Sequence, residues 1–203
     1  MLYFACTKEY NGCATYIPYV SYVIAYTEMY ERIFMLYMTF LTFGAFIPSV
    51  KGFYSKLDGV IHGWLNNVLL YQGIFSYIGL CYVGIFDYKN YNPLHHVSTG
   101  VFLISFTLYG FTIGQCFFWK RSHYLPREQN SIRVIFGCSW GVVVSYITVS
   151  FIAPYYDGKN LYWTAIAEWI YMLLAVNYFS LTSGLNTLYD TVHTISTPGK
   201  KQD

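Results

Sequence analysis

The 203-residue chain is 55% apolar and 22% aromatic, and only 11% of it is charged, against roughly 25% in soluble domains. That deficit excludes an ordinary soluble globular domain, and 23 Tyr, 16 Phe and 5 Trp exclude a disordered chain. A formal net charge of +2 is too small for a groove that tracks phosphates, so nucleic acid is not an expected partner.

In chain order, residues 1–32 read as a lumenal or extracellular segment. Lys8, Glu9, Asn11 and Gly12 interrupt its start, so the pattern of a secretory signal peptide is not seen. Its two cysteines, Cys6 and Cys13, are candidates for a disulfide. A helix needs about 20 residues free of charge to cross hydrocarbon. Five tracts meet that need, giving spans at 33–50, 60–86, 95–119, 134–154 and 161–189, the last interrupted only by Glu168. Residues 190–203 then form a tail. A membrane β-barrel would instead show segments of about ten residues with alternating polarity. The expected fold is therefore all-α, a polytopic transmembrane helix bundle over residues 33–189, with the lipid bilayer as its partner.

The basic residues give the bundle a direction. Lys51, Lys56, Lys120, Arg121, Arg127, Arg133, Lys200 and Lys201 fall on one side, against Lys8, Arg32, Lys89 and Lys159 on the other. The positive-inside rule makes the first side, and with it the C-terminus, cytosolic.

An ionisable side chain inside a span costs about 2.5–3.5 kcal/mol on insertion scales, so the few present are the first candidates for function. Glu168 sits about 10 Å into the last span if that span begins near Leu161. Met172, Ala175, Phe179 and Thr182 share its helix face, whereas Asn177 points to the opposite side and reads as interhelical glue. His95 and His96 lie at the lumenal mouth of the third span, so either one is able to meet Glu168; such a pair would titrate in the mildly acidic range. His62 lies at the far end of the second span, and adjacent histidines diverge by about 100° on a helix, so neither a metal nor a cofactor is expected. Three G-x-x-x-G pairs, Gly59/Gly63, Gly110/Gly114 and Gly137/Gly141, read as helix packing. No P-loop, nucleophile elbow, H-E-x-x-H or paired-acid pattern is present.

Pro18-Tyr19-Val20-Ser21, Leu94-His95-His96 and Glu168-Trp169 occur in an order and spacing that resemble the DRAM superfamily. The similarity runs from Ile17 onward and takes in the basic connection 120–133 and Tyr178-Phe179 with Leu181-Thr182. That resemblance implies a six-span endomembrane protein. The superfamily includes damage-regulated autophagy modulators, their plasma-membrane relatives and, more distantly, Golgi proteins that remodel GPI-anchor lipids. Two departures stand out: Tyr22 occupies the place of the family's usual aspartate, and a first span before Pro18 is missing. The expectation is a non-enzymatic regulator of autophagy or of lysosomal or plasma-membrane lipid organisation, located in the lysosome, Golgi or plasma membrane, whose partners are lipid headgroups or other membrane proteins. A GPI-anchor remodelling factor is the alternative, and a small transporter or channel, having one embedded acid and no broken-helix pair, comes third.

Overall fold

A computed structural model describes residues 28–86, 90–124, 126–152 and 162–183, and among these no strand occurs. Five rods follow in order. The first, α1, covers residues 28–57 as Glu28–Leu41, a π-helical turn at Thr42–Phe46, and Ile47–Leu57. Then come α2 (Gly63–Ile85), α3 (Asn92–Trp119), α4 (Gln129–Ile147, extended by a π turn at Thr148–Ile152) and α5 (Tyr162–Ser183).

Four stretches are long and apolar enough to cross a membrane: Arg32–Leu57, Gly63–Ile85, Asn92–Trp119 and Gln129–Ile152. In α5 the apolar stretch is Thr164–Ala175. The protein is thus an integral membrane helix bundle. Large apolar side chains such as Leu36, Phe40, Phe43, Tyr71 and Leu173 are exposed on the outside, as expected where lipid is the solvent.

The expected first span, 33–50, is only the middle of α1. The helix continues through Lys51 and Lys56, and Lys56, the cation in its last turn, suits the helix dipole. Pro48 explains the π turn. It has no N–H to give, and its ring crowds the carbonyl four residues back, so the ladder widens just before it.

The rods alternate in direction. Helix α2 packs on α1 and α3, α4 on α3 and α5, and the core is rich in rings: Phe46, Phe53, Tyr77, Phe102, Phe106, Tyr109, Phe117, Tyr171 and Tyr178. Glycines set the tightest approaches. A Cβ on Gly73 would lie 2.7 Å from the Tyr109 ring and 2.8 Å from Val50, and one on Gly114 would lie 2.4 Å from the Ser139 Cβ. The packing reading of the G-x-x-x-G pairs therefore holds at Gly114 and Gly141, but not at Gly59/Gly63 or Gly137. Gly59 occupies the turn after α1 with φ +70°, which a Cβ would strain, and among the described residues a Cβ on Gly59, Gly63 or Gly137 would find open space.

Candidate functional site

Of the polar residues singled out from the sequence, Glu168 lies beside the seam between α3 and α5. On α5 the most deeply buried stripe is Tyr171, Ala175 and Tyr178, and Glu168, half-buried, stands at its edge one turn earlier. Two phenols tie this stripe to α3. The Tyr171 hydroxyl donates to the Leu103 carbonyl at 2.8 Å and lies 3.0 Å from the Thr107 hydroxyl, which itself donates to Leu103 at 2.7 Å. Two hydroxyl protons thus serve three oxygens, so the cluster is donor-limited and shared. The Tyr178 hydroxyl donates to the Gly110 carbonyl at 2.7 Å.

Both interhelical bonds to carbonyls join residues 68 apart in sequence, so α3 and α5 run in the same direction and in constant register. That offset puts Glu168 level with Gly100 and Thr164 level with His96. On α3 the side chains that meet α5 are Phe102 and Phe106, against the Tyr171 ring, and Thr107, beside its hydroxyl; helical spacing carries that face back through Thr99 toward the His95–His96 pair. Four residues at 1.5 Å place His96 about 6 Å nearer the helix start than the level of Glu168.

The adjacent His95 serves a different contact. It is buried, and its Nδ1 lies 2.7 Å from the Phe86 carbonyl at the end of α2. A carbonyl only accepts, so Nδ1 carries the proton, and the ring closes one of the open carbonyls at that helix terminus. His96 is exposed, and the two rings stand edge to face with centroids 6.1 Å apart. Trp169 is half-buried. Asn177 is exposed, and its amide donates to the Leu173 carbonyl of its own helix at 2.8 Å. Cys6, Cys13, Pro18, Tyr19 and Ser21 lie outside the described residues. Cys81, Cys116 and Cys138 are free thiols, and among the described residues no three His, Cys, Asp or Glu side chains gather as metal ligands.

Only the structure reveals the cluster at the opposite, basic end. Glu128, the one acid of the basic connection, is 3% exposed and attracts the Lys56 ammonium at the end of α1. Tyr124 packs on Phe117 with centroids 5.6 Å apart, and its hydroxyl donates to the Lys56 carbonyl at 3.4 Å. Burial pushes the Tyr124 phenol up, and Cys116 and Glu128 nearby push it the same way. The connection is thereby folded onto α1 by one ring and one carboxylate. A single acid among four bases was the sequence signal for it.

Against this geometry, the profile of the Frag1/DRAM/Sfk1/Cwh43P N-terminal domain matches residues 1–184. The chain belongs to that family. No curated protein and no solved structure matches it. In this Frag1/DRAM-family chain, the Leu94-His95-His96 and Glu168-Trp169 motifs sit at the same end of the bundle, on helices joined by Tyr171 and Tyr178.

Proposed function

We propose that this Frag1/DRAM-family membrane protein is a non-enzymatic organiser of endomembrane lipid, of the kind the DRAM resemblance implies in autophagy and at the lysosome or plasma membrane. Its working site is the histidine end of the α3–α5 seam, facing the lumen or exterior, with the C-terminus cytosolic. The observation that carries the reading is the common 68-residue register, which brings the histidine pair and Glu168 to the same end of the seam, and His96 is taken as the residue working with Glu168. His95 is engaged at the end of α2. In this reading Glu168 and His96 gate access to the seam, and the tyrosines beneath keep the two helices aligned.

The test combines location with function. A tagged chain is expected in the endomembrane system, and its loss is expected to change autophagic flux. Glu168→Leu is expected to fold at least as well as the parent, because removing a membrane-embedded charge removes an insertion cost of about 2.5–3.5 kcal/mol, yet to lose that effect on flux. His96→Ala should behave alike. His95→Ala should instead lower thermal stability by about 1–3 kcal/mol, the cost of leaving a buried carbonyl unmet. Collapse of expression in Glu168→Leu would assign the acid to structure and sink this reading.

A second reading follows from the breadth of the family, whose description includes the Cwh43P N-terminal domain. Under it the same end would handle a GPI-anchor lipid headgroup. Shedding of GPI-anchored proteins on loss of the chain, with autophagic flux untouched, would favour it.

A further inference from the structure

The outer groove between α3 and α4, on the basic side, has the components of a lipid site. Arg121 lies over the Phe118 ring, 4.5 Å from its centroid, and Phe118 stacks on Phe136 of α4 with centroids 4.1 Å apart. The guanidinium is thereby held at the mouth of the α3–α4 groove rather than left to sweep through solvent. Arg133 is exposed three residues before Phe136, on the same side of α4, and contacts Asn130 at 3.4 Å. Two arginines thus stand at one mouth. Glu128, the acid nearest in sequence, is turned inward toward Lys56, so it does not offset them at the surface.

Deeper in, the groove turns apolar with one polar exception. Phe111 and the exposed Trp140 meet edge to face at 5.1 Å and form a second aromatic tier. Gly137 lies between the tiers on the exposed side of α4, and a Cβ there would meet nothing within 4 Å. Between Phe111 and Phe118 on the same face of α3 is Gln115, whose side-chain nitrogen is buried with no hydrogen-bond partner among the described residues. It sits about 4.5 Å deeper than Phe118.

Cations at the interface, a half-buried amide one turn below, and an aromatic tier with an open position at Gly137 beneath that match the order of groups along one molecule. We infer that this groove binds an anionic glycerophospholipid of the adjoining leaflet. Its phosphate would lie at Arg121 and Arg133, an ester carbonyl would accept from Gln115, and an acyl chain would lie over Gly137 beside Trp140. A zwitterionic lipid brings its own cation to the two arginines, so the site discriminates by net charge.

The experiment uses the purified full chain in phosphatidylcholine nanodiscs, with phosphatidylserine brominated on an acyl chain as the probe and quenching of tryptophan fluorescence as the readout. Trp140→Phe isolates the Trp140 component. Saturable quenching at low phosphatidylserine fractions is expected, weakened about tenfold or more in Arg133→Gln, where one charge-assisted contact is lost. Gly137→Leu keeps every charge, fills an open exposed position, and should abolish the saturable component; Lys51→Gln should leave it unchanged. Thermal unfolding in phosphatidylcholine alone establishes that each variant folds. Equal quenching by brominated phosphatidylcholine, parental binding by Gly137→Leu, or an equal loss in Lys51→Gln would each overturn the site and leave only diffuse surface charge.

Discussion

The close approach of α3 to α4 at Gly114 can be tested with one methyl group. An alanine Cβ there would fall 2.4 Å from the Ser139 Cβ and 2.5 Å from its Oγ, while carbon atoms rest at about 3.5–4.0 Å. The helices would have to separate locally by more than an ångström. Ser139 has no slack to offer, because it is fully buried, its Cβ is fixed to the α4 backbone, and its hydroxyl donates to the Phe136 carbonyl at 2.7 Å. Overpacking of this kind costs about 1–3 kcal/mol, and the better helix propensity of alanine returns about 0.8–1 kcal/mol. Gly114→Ala should therefore show a net loss of up to about 2 kcal/mol. The assay is a double-variant cycle with Ser139→Gly, which removes both clashing atoms, followed by reversible unfolding in mixed micelles. The pair should be more stable than the sum of the single changes by at least about 1 kcal/mol. Gly141→Ala is the control, since its Cβ would meet only the mobile tip of Leu174 at 3.4 Å. Coupling indistinguishable from zero would refute the packing argument.

Two further outcomes follow from the seam and the basic connection. Tyr178→Phe removes the donor to Gly110, and interhelical hydrogen bonds in membranes average about 0.6 kcal/mol with a maximum near 1.7; a loss in that range, measured by the same unfolding assay, is expected, and a gain would show that the bond does not hold α5 to α3. Tyr124 is a neutral phenol whose proton is held more tightly in the folded chain than its usual value of 10.0. The unfolded chain then releases the proton first, so stability should fall as pH rises above about 10. Tyr124→Phe should remove that increment, and identical alkaline profiles for parent and variant would contradict it.

Much of the architecture was readable from the run of charges. Charge-free tracts coincide with four helices long and apolar enough to cross and with the shorter apolar stretch of α5, because an unpaired charge in hydrocarbon is costly whatever the packing, although α1 extends past 33–50 to Leu57 through two lysines. The separation of Glu168 from Asn177 was also legible, since helical geometry alone puts them on opposite sides. The aromatic excess by itself gave no hint that Tyr171 and Tyr178 set the register of two helices. Likewise, Glu128 looked like one more charge on a polar connection until Lys56, 72 positions earlier, was seen near it.

Local chemistry along the chain was enough to say what medium surrounds this protein, which segments coil through it, and roughly where each polar group lies in depth, because those properties depend on composition and on 1.5 Å of rise per residue. Which helix each face meets was decided only by the assembled bundle. His95 and His96 show why: they are neighbours at almost the same depth, yet their bearings differ by about 100°, and the assembled bundle buries one against the end of α2 and leaves the other exposed.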